Sequence, residues 1–257
     1  MKQYFKKIII AIAKVDEAPL LLPLVALASA TLFVACGIES ATRGNSSARV
    51  GKDPRDLTMA MPMAAPTREK LVVLSDQIPL LQVDLRYAKS NNVSRRRLYD
   101  RSMPAMLDQS TAKKLAKAQK TLLAKGYALK VWDAYRPPAA HLRLWKRSGR
   151  SGYVADPRLG WSKHCSGRAV DVTLVDANTG LEVEMPSKFD DFSKRASSNY
   201  RGSNFNIVKN LAALKSAMKN AGFIGIKMEW WHFENKQRNQ DNLPPIYADE
   251  IGIKVPH

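Results

Sequence analysis

The chain has 257 residues, 45% of them hydrophobic, which is enough for one substantial domain or two small ones with a buried core. Lys and Arg number 41 against 23 Asp and Glu, a formal charge of +18 that suits anionic membranes or wall polymers as well as nucleic acid. The cations are spread along the chain, as in Lys113-Lys114, Lys117 and Lys120, without zinc-finger spacing or an aromatic-interleaved basic stripe; an envelope-facing, solvated surface is expected and no nucleic acid partner.

Residues 1–36 open with Lys2, Lys6 and Lys7, pass an apolar patch at 8–12, and run uncharged over the 17 residues 19–35. This has the layout of a secretory signal, and Phe33-Val34-Ala35-Cys36 resembles a bacterial lipobox whose cysteine, Cys36, is lipidated. The expected location is therefore the cell envelope, as an exported, periplasmic, membrane-anchored lipoprotein. Phe33 stands where leucine is usual and Asp16 and Glu17 interrupt the leader, so an uncleaved anchor or a buried apolar segment of a cytoplasmic protein stays open. Residues 37–69 shift to Ser, Thr, Gly, Ala, Pro and Arg and read as a flexible linker, which leaves 70–257 as the catalytic domain.

The domain begins at Leu71-Val72-Val73-Leu74. Ser110 is a candidate cap for a helix to about Ala124, ended by Gly126, with Leu115, Ala118 and Leu122 at helical spacing. Tyr127-Ala128-Leu129-Lys130-Val131-Trp132 predicts a strand, and Pro137 starts a second helix through Trp145. A glycine-rich loop, 149–160, leads to His164, and Ala169-Val170-Asp171-Val172-Thr173-Leu174 has strand character. Asn206 is the candidate cap of a third helix carrying Leu211, Leu214 and Met218, and 226–233 reads as a last core strand. On an ideal strand Glu229 and His232 face opposite ways, which calls for a bulge, a twist or a strand end there. The pattern predicts an α+β fold in which short helices pack on a small mixed or antiparallel sheet.

Two histidines and an aspartate, His164, Asp171 and His232, meet the count of three protein ligands that zinc hydrolases keep, with Glu229 as a spare carboxylate for proton transfer. A bound zinc makes water a nucleophile near neutral pH, and burial beside Trp230 and Trp231 would bring Glu229 toward a working pKa. Each residue alone has an ordinary alternative: a hydrogen-bonded structural histidine, a turn carboxylate, a surface glutamate. Cys165, beside His164, is either a small buried filler or a thiolate ligand or nucleophile. His141 and His257 lack such company and read as structural or exposed.

Ser162-x-His164-x-x-Gly167-x-Ala169-x-Asp171 followed by Glu229-x-Trp231-His232 resembles the VanX-type D-alanyl-D-alanine dipeptidases of the zinc peptidase M15 group, over about residues 71–235. The resemblance implies one zinc ion per chain on His164, Asp171 and His232, Glu229 as general base, and the fold of that group. Trp132-Asp133-Ala134-Tyr135-Arg136-Pro137 resembles the family's Asp-Gly-Tyr-Arg-Pro segment, with alanine in place of glycine, and implies that Arg136 stabilises the tetrahedral intermediate. Phe189-Asp190 resembles the segment whose aspartate receives the free amino terminus, adjacent Asp191 being an alternative assignment. Ser162 is the candidate donor to the C-terminal carboxylate. Asp84-Leu85-Arg86-Tyr87-Ala88 resembles the family's early strand and places Tyr87 at the pocket. Turn capping for Ser162 and Asp190 and core packing for Tyr87 are the ordinary alternatives. Trp230 and Trp231 read as packing for the metal-bearing strand rather than a sugar platform.

The implied function is hydrolysis of D-Ala-D-Ala or a similar short dipeptide. The alternatives are an M15-type D,D-carboxypeptidase or endopeptidase on longer wall peptides, and a non-catalytic, metal-stabilised wall-binding domain.

Overall fold

The computed structural model describes residues 70–148, 152–235 and 243–254. The expected leader, Cys36 and the linker lie outside these residues, as does His257. Among the described residues, seven strands form two sheets. β1 (Leu71–Val73) pairs antiparallel with β3 (Met106–Asp108). β2 (Gln82–Val83), β4 (Tyr127–Asp133), β5 (Ala169–Asp176), β6 (Ile224–Gly225) and β7 (His232–Glu234) form the main sheet in the order β2-β4-β5-β7-β6. Only β2 and β4 run parallel, so the sheet is mixed. With helices α1 (Gln109–Leu123), α2 (Pro138–Ser148) and α3 (Phe205–Asn220), the architecture is α+β as the pattern predicts. No helix of the described residues is long and apolar enough to cross a membrane.

Helix α1 packs on α3 and on β4, and α3 also contacts β5 and β6. Leu115, Ala118 and Leu122 of α1 are fully buried, while Lys113, Lys117 and Lys120 stay exposed. Burying each such leucine favours the fold by about 2 kcal/mol. Leu211, Leu214 and Met218 do the same on α3.

Both expected caps sit two residues too late. The Asp108 carboxylate accepts from Thr111 N at 2.8 Å and from the hydroxyls of Ser110 and Thr111 at 2.7 Å each, so α1 starts two residues earlier than a Ser110 cap would place it. A charged acceptor with two oxygens satisfies more of the free N-terminal donors than a serine hydroxyl. Asn204, not Asn206, caps α3, accepting from Asn206 N and Ile207 N. Helix α2 begins at Pro138 rather than Pro137.

The expected strand over 226–233 is instead the connection between β6 and β7 plus the start of β7. Glu229 stands in that connection, so strand alternation places no constraint on it. Tyr87 lies on a 3-10 turn (Arg86–Ala88), not on a strand. One irregularity positions chemistry directly. The register between β4 and β5 shifts between Val131 and Asp133, which sets Asp133 opposite Asp171 while Val131 faces Val172. The extra residue, Trp132, is a bulge that re-aims the strand end beside the site.

Candidate active site and metal centre

His164 sits on a 3-10 turn (Lys163–Ser166) just before β5, Asp171 is on β5, and His232 opens β7 directly across from Asp171. All three are buried and form the one group of possible metal ligands found among the described residues, their ligand atoms lying within 4.8 Å of one another. His164 Nε2 is 3.2 Å from His232 Nδ1, His232 Nδ1 is 2.9 Å from Asp171 Oδ1, and Asp171 Oδ1 is 3.4 Å from His164 Nε2. Ligands about 2.0–2.1 Å from a tetrahedral zinc stand about 3.3 Å apart, so this nitrogen, nitrogen and oxygen triangle fits the ion.

The far ring nitrogens are also engaged. His164 Nδ1 donates to the Ala134 carbonyl at 2.7 Å, which leaves Nε2 for a ligand. His232 Nε2 is 3.4 Å from Glu234 Oε1, which leaves Nδ1. Burial opposes ionisation of Asp171, but His164 and His232 outweigh it and hold its carboxyl below the ordinary range. Burial likewise opposes a charge on His232, yet the hydrogen bonds to Asp171 and Glu234 push its pKa up to about 10. Burial is again overcome at Glu234, whose pKa His232 and Lys163 lower to about 2.

Gly167 explains its own place in the motif. Its φ of +71° belongs to the left-handed region, and a Cβ there would meet Leu71 Cδ2 at 2.5 Å and Asp108 N at 2.8 Å. Only glycine turns the chain from His164 into β5 at that closeness. The turn is tied down by Ile246 N donating to the Cys165 carbonyl at 2.8 Å and Arg136 N donating to the His164 carbonyl at 3.0 Å. Cys165 is fully buried, burial pushes its thiol up to about 12, and it stands outside the ligand group, so it is the filler and neither ligand nor nucleophile.

Arg136 is buried, and its Nε and Nη2 donate to Asp133 Oδ2 at 2.9 and 2.6 Å. Nη1 reaches His141 Nδ1 at 3.3 Å, and the guanidinium lies over the Tyr87 ring, 4.9 Å from its centroid. Three of its five N–H donors are thus occupied, and two remain. Ala134 has no positive φ, so alanine in place of the family's glycine costs the loop nothing in backbone strain.

Asp190 accepts from Tyr87 Oη at 3.2 Å and from Val93 N at 2.9 Å, with a left-handed φ of 57°. Burial raises its pKa to about 7. Asp191 instead accepts from Ser193 N and stands away from the cavity that Asp190 lines. Tyr87 does both things expected of it, packing in the core and reaching the cavity. Ser162 caps the His164 turn through a long 3.4 Å contact and also lines the cavity. Glu229 is nearly buried, and that burial raises its pKa to about 7. Trp230 and Trp231 are buried edge-to-face, 5.5 Å apart, which suits packing and leaves no face for a sugar.

A cavity of about 240 Å³ brings the ligand group together with Arg136, Glu229, Ser162, Asp190 and Tyr87. Sequence reasoning missed Asp133, His141, Val93 and Glu234. Asp133 and Glu234 carried a signal, since each is an acidic residue within three positions of a functional cation or ligand; Val93 acts through its main chain and carried none.

The peptidase M15 family described as D-ala-D-ala dipeptidase matches residues 67–251. A D-alanyl-D-alanine dipeptidase of Escherichia coli K12 is 32% identical over 186 residues, covering 72% of this chain and 93% of the relative. A D-alanyl-D-alanine dipeptidase of Enterococcus faecium is 34% identical over 143 residues, covering 48% of this chain and 69% of the relative. One of Enterococcus faecalis is 30% identical over 148 residues, covering 49% and 71%. By the extent of these matches, the chain belongs to the peptidase M15 family of D-ala-D-ala dipeptidases.

Proposed function

We propose that the chain is a zinc-dependent dipeptidase that hydrolyses D-Ala-D-Ala or a similarly short dipeptide. The observation that carries this reading is the small cavity, about 240 Å³, walled by the carboxylate of Asp190 as well as by the ligand group, Glu229 and Arg136. Small-molecule sites usually measure about 300–1,000 Å³, so this one suits a substrate of dipeptide size. An enzyme for longer wall peptides needs an open groove where Asp190 stands.

A zinc ion on His164, Asp171 and His232 would supply Lewis acidity toward water and the scissile carbonyl. Asp190 receives the substrate ammonium, and Ser162 donates its hydroxyl to the terminal carboxylate. The two remaining Arg136 N–H groups would donate to the oxygen that gains charge as the carbonyl becomes tetrahedral. Glu229 takes the proton of the attacking water and passes it to the departing amine, so that one C–O bond forms, one C–N bond breaks and two free amino acids leave. Trp231 and Phe192 help to exclude bulk water from this cavity. The leader composition supports export and lipid attachment at Cys36; palmitate labelling that persists in a Cys36→Ala variant would refute the anchor.

The decisive experiment supplies the zinc-loaded protein with D-Ala-D-Ala, L-Ala-L-Ala and a wall pentapeptide. Cleavage of D-Ala-D-Ala well above the others is expected. Rapid pentapeptide cleavage with little dipeptide turnover would assign the chain to a carboxypeptidase instead.

A further inference from the structure

His141 is fully buried on α2 and has no part in the chemistry above, yet it touches the residue assigned to the oxyanion. Its Nδ1 is 3.3 Å from Arg136 Nη1. A guanidinium only donates, so Nδ1 accepts and the ring proton sits on Nε2. Nε2 is 3.0 Å from the Ala155 carbonyl, to which it donates. One neutral tautomer satisfies both contacts. Burial and the adjacent Arg136 charge lower its pKa to about 3, in keeping with that form.

The second contact on Arg136 changes what the guanidinium can do. Asp133 receives both Nε and Nη2 on a single oxygen, Oδ2. A fork held at one atom can pivot about it. His141 grips Nη1 from another direction and removes the pivot. The same ring holds Ala155, which with Tyr153 and Val154 lines the cavity, and Tyr153 stacks on Phe192 at 4.3 Å. One imidazole therefore completes the hold on the arginine begun by Asp133 and also anchors that cavity segment.

We propose that His141 is a positioning residue that orients Arg136 toward the scissile carbonyl and couples it to the 153–155 segment. This rests on the dipeptidase reading of the site. The test compares His141→Asn, His141→Gln and His141→Leu with Arg136→Ala and the unaltered zinc-loaded protein, each checked for zinc content and thermal stability. An asparagine carbonyl can stand where Nδ1 accepts from Arg136, whereas a glutamine amide reaches toward Ala155 in place of Nε2. The expected result is a kcat on D-Ala-D-Ala lowered about 10- to 100-fold in His141→Leu with KM nearly unchanged. His141→Asn should recover most of kcat, and His141→Gln should not. Nitrogen NMR of the unaltered protein should show His141 neutral with its proton on Nε2 from pH 5 to pH 9.

Recovery by glutamine but not asparagine would mean that His141 only holds the cavity segment, and would overturn the proposal, as would the opposite tautomer or a His141→Leu variant with full kcat. If Arg136→Ala is impaired while these outcomes appear, only the role of His141 falls. If Arg136→Ala is as active as the unaltered protein, the oxyanion role of Arg136 falls and takes the proposal with it while the dipeptidase reading stands; if the unaltered protein does not cleave the dipeptide, the dipeptidase reading itself falls.

Discussion

Asp171 and His232 are cross-strand partners on β5 and β7, and their facing atoms, Oδ1 and Nδ1, are 2.9 Å apart. A candidate metal ligand on one strand thus sits at hydrogen-bond distance from another on the next, and without metal the two share a proton. The pKa of His232, pushed up to about 10, means that this proton is present at neutral pH. Zinc must displace it.

Zinc loading at pH 7–8 should therefore release about one proton per ion, with affinity rising as pH rises toward 10. Calorimetry in two buffers of different ionisation enthalpy reads the proton count; no release would contradict the assignment. In metal-free protein the raised pKa also stabilises the fold. That contribution is complete below the unfolded value near 6.5 and is lost as pH climbs through about 10.

Replacing Glu229 by Gln should lower kcat by about 10²–10⁴-fold with zinc content unchanged. For the unaltered protein kcat/KM should fall on the acid side of an inflection at or below pH 7, because Glu229 protonates there. A bound cation shifts the inflection downward, never upward. Steady-state kinetics over pH 5 to 9 checks both points.

In the proposed reading Asp190 receives a charge that an N-acetylated dipeptide lacks. Asp190→Asn should raise KM for the free dipeptide by about tenfold or more, as expected for a lost charge-assisted contact. N-acetyl-D-Ala-D-Ala should be a poor substrate of the unaltered protein. Equal turnover of the acetylated and free dipeptides would show that this carboxylate does not bind the amine.

Glu234 orients His232 and is itself paired with Lys163 at 3.2 Å. Glu234→Ala should weaken zinc retention about 10- to 100-fold, read by competition with a chelating dye, with the far-ultraviolet circular dichroism unchanged.

Gly167→Ala forces a Cβ against Leu71 and the Asp108 main chain at a left-handed position. A loss of about 1–3 kcal/mol in unfolding free energy is expected. Denaturant titration of metal-free protein measures it apart from any change in zinc affinity.

Much of the site was legible because its residues are close in sequence. His164, Gly167 and Asp171 fall within one turn and strand, and the arginine segment lies just beyond a well-marked strand. The location of Glu229 was not legible, because a run of apolar and aromatic residues at 226–233 looks the same whether it forms one strand or a hairpin connection whose tryptophans are buried by tertiary contacts. His141 was read only as structural or exposed, for a related reason. Helical spacing assigns it a face but not a partner, and its importance comes from Arg136 and Ala155, which only the folded chain brings to its two nitrogens. The helix caps were missed by two positions, since Asp108 ends a strand and begins a helix at once.

The 3.0 Å bond from Arg136 N to the His164 carbonyl joins the main chain of the proposed oxyanion donor to that of a candidate metal ligand. The main-chain span from residue 136 to residue 164 is therefore a property of the backbone, and alanine at 134 is accommodated within it. Substrate range can drift, in nature or in the laboratory, through Trp161 and Ile226 at the cavity wall without resetting that span. The catalytic ruler and this part of the specificity surface are separable within one fold, unlike the 153–155 wall that His141 ties to Arg136.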